Sequence, residues 1–130
     1  MRDEAAEREA MRVTDEFMRA FNARDMKAHF GTFNFPHVRI ASGQLRLWQT
    51  REELEQNPER YGSREVETGW RHSRWDSREV IHSGSDKVHL KVQFTRYGAD
   101  DKAINTYLAV YVITNQGGHW GIQARSSFAP

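Results

Sequence analysis

Apolar and polar residues alternate along three consecutive segments in the second half of the chain: Lys87–Tyr97, Ala103–Thr114 and His119–Phe128. Successive side chains of a β-strand point to opposite faces. The alternation therefore predicts three strands, each with one apolar and one mixed face. The turn-forming sequences GADD at 98–101 and NQGG at 115–118 separate the segments. Connections this short make neighbouring strands antiparallel.

The same alternation predicts which side chains of these strands face the core. The predicted core positions are Val88, Leu90, Val92, Phe94, Ile104, Leu108, Val110, Val112, Trp120, Ile122, Ala124 and Phe128. The opposite face is rich in Tyr, Gln and Arg, and Tyr and Arg are enriched at protein–protein interfaces. We therefore expect a symmetric homodimer. Its predicted interface contains Gln93, Tyr107, Tyr111, Gln123 and Arg125.

The first half of the chain predicts helices and shorter strands. Residues 3–22 carry apolar side chains at three- and four-residue steps, a pattern typical of an amphipathic helix. Asp25 is placed to cap a short helix over 26–30, and Thr50 with Glu53 forms a capping box that begins a further helical region. Strands are expected over 33–41, 44–48 and 73–82.

Two prolines modify these elements. Pro58 predicts a kink in the helical region that follows Thr50, because proline cannot donate a helical hydrogen bond. Pro36 lies inside the first predicted strand, where the same missing N–H predicts an edge strand or a bend.

Length, charge and cysteine content argue against several classes of protein. The 130 residues are expected to form one domain, residues 1–130, and the net charge of +1 provides no global field for nucleic acid or acidic membranes. The chain has no Cys, which excludes disulfides and thiolate metal sites and fits a reducing compartment, so we expect a cytoplasmic protein. The first nine residues are charged and lack the apolar run of a signal peptide. No segment has the apolar length of a membrane helix.

Three local motifs, together with the order of elements, carry a resemblance to a known fold. They are FNARD at 21–25, FPHV at 35–38, and GHWGI at 118–122 running into ARSSF at 124–128. With them the chain resembles the nuclear transport factor 2-like superfamily and, within it, the SnoaL-like domains. The resemblance implies an α+β fold: a curved antiparallel sheet wrapped around N-terminal helices in a cone-shaped, cystatin-like roll. It also implies a pocket inside the cone and frequent homodimers through the outer sheet face.

The chain departs from the catalytic pattern of the ketosteroid isomerases in that superfamily. Those enzymes need an Asp base and a second, protonated Asp in an apolar site. Here Phe35 stands at the position of the base, directly before Pro36, and Val110 corresponds approximately to the second acid. Neither side chain can move or share a proton, so that machinery is absent in its usual form.

The resemblance directs one side of the first strand into the pocket. His37 on that side is the best candidate for an acid or base near neutral pH, although a hydrogen-bonded structural role is the more common one for such a residue. Arg39 is a candidate for binding an anionic group, with an exposed cation as the alternative. The other candidate pocket residues are Trp48, Trp70, Trp75, Phe94, Thr106 and Ser126, which would otherwise serve packing or backbone hydrogen bonds.

Other chemistries have weaker support. The six histidines show no metal-site spacing, so we expect no metal and no cofactor. A basic run, Arg71, His72, Arg74 and Arg78, lies beside two Trp residues, but it matches no nucleic-acid motif, and a solvated strand face explains it more simply.

Two functions therefore remain open. One is a SnoaL-like domain that binds a small apolar or cyclic molecule in an apolar pocket, either with or without weak isomerase, cyclase or hydratase activity. The other is a non-catalytic homodimerisation or scaffold domain whose pocket is filled by its own side chains. The sequence does not decide whether the protein is an enzyme.

Overall fold

The structure, a computed structural model, describes residues 2–56 and 69–130. It contains three α-helices, six β-strands and one 3₁₀ turn over Ala99–Asp101 in these ranges. The helices are α1 (Glu4–Asn22), α2 (Met26–Phe30) and α3 (Arg51–Glu55). The strands are β1 (Phe33–Ala41), β2 (Gln44–Trp48), β3 (His72–Gly84), β4 (Lys87–Tyr97), β5 (Ala103–Gln116) and β6 (His119–Ser127). The expected kink at Pro58 lies outside the described residues.

The six strands form one sheet in the order β2-β1-β6-β5-β4-β3. All neighbouring pairs are antiparallel except β1 and β6, which run parallel. In the parallel pair the first strand, β1, lies next to the last strand, β6. This pairing joins the two halves of the chain in one sheet. The predicted α+β fold is confirmed, with this one parallel pair as an addition to the antiparallel sheet.

Helix α1 covers the inner face of the sheet. Asp3 caps its first turn, since Asp3 Oδ1 accepts a hydrogen bond from the Ala6 amide over 2.9 Å. The apolar stripe that the sequence predicts is buried, and the central part of it comprises Ala10, Val13 and Phe17. This burial holds α1 against β3, β4 and β6, because transfer of apolar surface out of water is the main favourable term in packing.

Several predictions made from neighbouring residues are confirmed, including two helix caps. Asp25 accepts a hydrogen bond from the Ala28 amide, and Thr50 accepts one from the Glu53 amide. Glu53 in turn accepts a hydrogen bond from the amide of Gln49, one residue before the cap, rather than from the Thr50 amide as in the usual capping box. Pro36 lies where the pairing of β1 with β6 changes register, so it marks a bend within an internal strand.

The predicted orientation of β5 is wrong. Leu108 is 50% exposed, whereas Tyr111 is 4% exposed and Ile113 is fully buried. In the β4–β5 pair Leu90 lies opposite Tyr111, and Val88 lies opposite Ile113. Directly opposite residues share a face, so Tyr107, Ala109, Tyr111 and Ile113 point inward. The side chains of β5 do alternate between two faces, as predicted. Both faces carry apolar residues, however, so hydrophobicity alone did not identify the face that packs on the core.

A bulge divides β6 into two halves of opposite phase. Ile113 pairs with Ile122 and Val112 pairs with Ala124, so Gln123 is an extra residue without a partner on β5. Before the bulge Ile122 points inward, as predicted, whereas after it Arg125 is the buried residue. The predicted inward positions of Ala124 and Phe128 are therefore wrong.

Gly121 is required by a close approach between strands. A Cβ atom at this position would lie 2.9 Å from the backbone nitrogen of Asn34 and equally close to its side chain. The Asn34 amide group donates hydrogen bonds to the carbonyl oxygens of Thr114 and His119. This side chain therefore joins β1 to the β5–β6 hairpin, and glycine leaves the room for it.

Candidate functional site

A cavity of about 60 Å³ lies between α1 and the inner face of the sheet. One part of its wall is apolar and comprises Phe17, Met18, Phe21, Trp75 and Phe94. The other part is polar and includes Arg39, Arg96, Arg125, Tyr111, His29 and Ser127. The cavity therefore combines an aromatic wall with three guanidinium groups. The sequence predicted an apolar pocket, so the polar part of the wall is a difference from that prediction.

Arg125 reaches the cavity because the bulge in β6 turns it inward. Its guanidinium carbon lies 4.9 Å from the ring centroid of Phe33 and 5.8 Å from that of Phe17. Cations over aromatic faces at such distances are attracted by the ring quadrupole. Its Nε donates a hydrogen bond to His37 Nε2 over 3.0 Å. These contacts fix the position of the guanidinium group, which forms part of the cavity wall.

His37 lies behind Arg125 and is fully buried. Its Nδ1 is 2.8 Å from the carbonyl oxygen of Ile122, which can only accept, so Nδ1 carries the proton. Its Nε2 must then accept the hydrogen bond from Arg125. Burial, reinforced by the positive charge of Arg125, lowers the pKa of His37 to about 2. A neutral imidazole with both nitrogens in use orients Arg125 and is poorly suited to acid–base catalysis.

Arg96 and Arg39 complete the cationic part of the wall. Arg96 lies on the inner face of β4, with its guanidinium carbon 4.8 Å from the ring centroid of Tyr107. Burial lowers the pKa of Arg96 below its ordinary value, which indicates that its charge is poorly solvated. Arg39 donates a hydrogen bond from Nη2 to the carbonyl oxygen of Ala129 over 3.0 Å.

The structure brings together only part of the predicted pocket. Arg39, Trp75 and Phe94 line the cavity as expected. Trp48 and Trp70 are buried in packing contacts, Trp48 near His37 and Trp70 against Phe21. Both belong to the buried core next to the cavity and are not among the described residues that line it.

Thr106 and Ser126 were placed on the wrong face. Both are exposed, on the outer side of the sheet. Thr106 pairs with Thr95, with 2.8 Å between the two hydroxyl oxygens, and Ser126 pairs with Val110. Thr106 lies outside because β5 faces the opposite way from the prediction. Ser126 lies outside because the bulge in β6 shifts the alternation of the residues after it.

Most of the predicted dimer interface is also inside. Tyr111 and Arg125 are buried in the cavity wall, and Tyr107 packs against Phe94, 5.7 Å between ring centroids. Gln93 does lie on the outer face, opposite Leu108, with its amide 3.3 Å from Asp76. Gln123 lies at the bulge and donates a hydrogen bond to the Pro36 carbonyl.

Three cavity residues are not among those predicted for the pocket: Arg96 has no predicted role, and Tyr111 and Arg125 are predicted at the dimer interface. The sequence holds a signal for two of them: Arg96 follows the inward alternation of β4, and Tyr111 can be placed by cross-strand pairing. The positions of the turns set a register in which Phe94 lies opposite Tyr107 and Leu90 opposite Tyr111. That register places apolar residues on both strands together, on the inner face. The bulge that turns Arg125 has no comparably clear signal.

The remaining candidates are accounted for within the described residues. The basic run is largely paired with acids: His72 and Arg74 contact Asp101, and Arg78 contacts Asp15. No group of three or more His, Asp or Glu placed to hold a metal ion occurs in residues 2–56 and 69–130. In the same ranges, no helix has both the length and the apolarity needed to cross a bilayer.

A family model described as NTF2-like protein (DUF6841) matches residues 7–127. The chain belongs to this NTF2-like family. The resemblance to the nuclear transport factor 2-like superfamily, inferred from the sequence motifs, is thereby confirmed. No curated protein matches the chain significantly.

Solved structures with the same fold come from several bacteria. A protein of unknown function with a cystatin-like fold from Nostoc punctiforme has a TM-score of 0.78 at 14% identity, covering 98% of this chain and 92% of that one. An NTF2-like protein of unknown function from Pseudomonas putida KT2440 has a TM-score of 0.76 at 16% identity, covering 100% and 90%. A ketosteroid isomerase-like protein from Erwinia carotovora atroseptica has a TM-score of 0.63 at 20% identity, covering 92% and 94%. These similarities establish the fold of this NTF2-like chain.

The structure also shows where the position aligned with the second acid of the ketosteroid isomerases lies. Val110, which we aligned with the second acid of those enzymes, points to the outer face and is 40% exposed. The inward positions next to it are Ala109 and Tyr111. None of these residues is a carboxylic acid, and among the described residues no Asp or Glu lines the cavity.

Proposed function

We propose that this NTF2-like domain binds a small molecule in the cavity between α1 and the sheet. The observation that supports this proposal is a built interior site: guanidinium groups of Arg96 and Arg125 exposed to a cavity that also has an aromatic wall. Ligand sites typically combine an apolar lining with a few fixed polar groups. A pocket filled only for stability would be better served by apolar side chains, because burial of a charge is costly.

The proposed activity is binding rather than isomerisation, cyclisation or hydration. His37, the best candidate for a proton carrier, has a pKa of about 2 and donates to a backbone carbonyl. A general acid or base works best with a pKa near the working pH. The cavity of about 60 Å³ is also smaller than the ~150 Å³ cavity that accommodates benzene in an engineered protein. The ligand is therefore expected to place a small group, rather than a ring, inside the closed part of the site.

Filling the cavity tests this proposal. Ser127 points into the cavity from β6, whereas its neighbour Ser126 is exposed on the outer face. Ser127→Leu should abolish the binding of small molecules, because the added carbon atoms occupy the space. Ser126→Leu is the matched control and should bind as wild type does. A library of charged and uncharged small compounds, screened by thermal shift, provides the ligands. A ligand at 100 times its Kd stabilises the folded state by about 2.7 kcal/mol, which a thermal shift detects.

Two results would count against the proposal. One is a library in which no compound stabilises the wild-type protein. The other is a set of stabilising compounds that act equally on wild type and on Ser127→Leu. Circular dichroism of both variants checks that they are folded, and NMR shifts of the Met18 methyl group, in the cavity wall, report binding independently of stability.

A second function, homodimerisation, is favoured by an apolar surface on the outer sheet face. We define the outer apolar patch as the exposed side chains Ile40, Leu45, Leu47, Leu108, Val110 and Phe128. Ile40 and Leu45 pair across β1 and β2, and both Ile40 and Val110 pair with Ser126, so the patch continues over four strands. Monomeric proteins rarely expose a large continuous apolar area. Lys91, opposite Val110 on β4, marks the start of a polar half of the face.

We propose that a second copy of this chain covers the outer apolar patch. An apolar surface without charges at its centre is complementary to itself, as a twofold interface requires. The interface differs from the one predicted from the sequence, since Tyr107, Tyr111 and Arg125 point inward.

A charge inside the patch should separate the two copies. Leu108→Glu places a carboxylate on each side of the interface, where it would lose its hydration, and the variant should be monomeric by light scattering. Ile81→Glu is the matched control: Ile81 is similarly exposed, at 45%, but lies on β3, outside the patch. The control should remain dimeric. A monomeric wild-type protein, or a Leu108→Glu variant that stays dimeric, would refute this interface.

A further inference from the structure

Two arginines in the cavity wall are buried without an acidic partner. Arg96 and Arg125 are each 8% exposed. Among the described residues, neither forms an ion pair with Asp or Glu, although several surface arginines do. A buried cation is costly unless it is paired. Both guanidinium groups are therefore positioned where an anion from outside the chain would be stabilised.

The aromatic contacts hold these cations without neutralising them. Arg125 lies over Phe33, and Arg96 lies over Tyr107. A cation held by a ring keeps its full charge, because the ring brings no negative charge of its own. For Arg125, the side-chain hydrogen bond made within the described residues is the one from Nε to His37, so the terminal nitrogens are the donors left for a ligand.

His37 contributes to this preference for an anion. As a neutral acceptor it orients Arg125 and adds no charge of its own. A carboxylate at the position of His37 would have neutralised the guanidinium group, whereas the imidazole leaves its charge available to the cavity.

Size and wall chemistry select the kind of anion. The cavity of about 60 Å³ has room for a group of a few atoms, and both guanidinium groups line it. Planar guanidinium groups match the two oxygens of a carboxylate. Phe94 and Met18 on the apolar side of the wall match a short hydrocarbon body. Inorganic phosphate would satisfy the cations but would leave the apolar wall without a partner.

We infer that the ligand of this cavity is a small organic carboxylate, whose carboxyl group lies between Arg96 and Arg125 and whose short apolar body packs on the aromatic wall. The inference rests on the proposed small-molecule function and specifies its ligand class. It assigns Arg96 and Arg125 as binding residues and His37 as a positioning residue.

Matched probes test the charge requirement. Propanoate and propanamide have nearly the same shape but differ in charge, and inorganic phosphate supplies an anion without an apolar body. Each is titrated at constant ionic strength into ¹⁵N-labelled protein, with the amide signals of Ser127 and Ala129 as reporters. Propanoate should bind about 10-fold or more tightly than propanamide, the ratio expected for charge-assisted hydrogen bonds. It should also bind more tightly than phosphate. Propanoate no tighter than propanamide, or phosphate the tightest of the three, would overturn the inference.

Arginine variants test the assignment. Arg125→Gln and Arg96→Gln should each weaken propanoate binding by about 10-fold while changing propanamide binding little. Arg74→Gln is the matched control, because Arg74 lies over the ring of Tyr97 but outside the described cavity wall. It should bind propanoate as wild type does. The two arginines lie on different strands, so a folding defect in one variant leaves the other as a test. Equal losses in all three variants, or none, would also overturn the assignment.

The two proposals fail in different ways. If uncharged library compounds bind wild type but not Ser127→Leu, while propanoate shows no advantage over propanamide, the small-molecule function stands and the carboxylate class is wrong. If neither propanoate nor any library compound binds, both are wrong.

Discussion

Leu90→Ala is expected to lower the free energy of unfolding by about 2–5 kcal/mol. Leu90 is fully buried at the centre of β4, where it belongs to the main core cluster with Tyr111 opposite it on β5. Truncation removes buried methyl groups and leaves a cavity that a close-packed interior fills only partly. Urea unfolding, with the midpoint and slope determined separately, measures the loss.

Leu108→Ala is the control for this experiment. It makes the same chemical change on the neighbouring strand, but Leu108 is half exposed on the outer face. In the monomer the control should change stability by about 0.5 kcal/mol or less, as exposed substitutions usually do. If dimerisation contributes, wild type and both variants are compared at protein concentrations low enough for the dimer to dissociate. A larger loss for Leu108→Ala than for Leu90→Ala would reverse the face assignment of β5.

His37 is expected to make the protein sensitive to mild acid. Its pKa is lowered from 6.5 to about 2 in the folded state, chiefly by burial and then by Arg125. Below pH 6.5 the unfolded chain binds a proton that the folded protein does not. Stability should therefore fall as pH decreases, by about 1.4 kcal/mol per pH unit for this one group. The stabilising effect of a neutral His37 is fully present above pH 6.5 and is lost progressively below it.

The surroundings of His37 explain why protonation is unfavourable. The charged or titratable groups that influence it are Arg125 on β6, Arg39 on β1 and His29 on α2, each of which lowers its pKa. A proton on Nε2 would also replace the acceptor of the Arg125 hydrogen bond with a second donor.

His37→Gln isolates this contribution. The variant should be less stable at pH 7 but should lose less stability between about pH 6.5 and 5, by about one proton in the slope of the pH dependence. All other titratable groups are the same in both proteins, so the difference between the two curves belongs to His37. Parallel curves would contradict the assignment. The imidazole signals of wild-type His37 provide a second measurement, since they should not titrate above about pH 5.

Local signals in the sequence predicted the elements well because they depend on neighbouring residues. Asp25 and Thr50 each cap a helix through a hydrogen bond within three residues, and the helix bounds followed from them. The order of elements and the motifs at 21–25, 35–38 and 118–128 then indicated the fold, which the family match confirms.

The cavity was predicted less well because it depends on which side of a strand each residue occupies. In β5, Leu108 and Val110 on one side are as apolar as Tyr111 and Ile113 on the other. Only the packing of α1 against one face distinguishes the two sides, and that packing is a tertiary effect. The error for Arg125 has a different source, because a single unpaired residue, Gln123, shifts the phase of everything after it.

The bulge at Gln123 changes, within one continuous strand, which of the alternating residues face inward. Upstream of it, β6 contributes Ile122 to the hydrophobic core; downstream, the same inward direction is occupied by Arg125 and then by Ser127. If Gln123 instead paired regularly with Val112, Ala124 would lie opposite Tyr111 and face inward in place of the guanidinium group. The polarity of the interior is thus set by the bulge as much as by residue type. Relatives in which this strand pairs without the extra residue being left out of the ladder would share the fold while presenting an uncharged interior to their ligands.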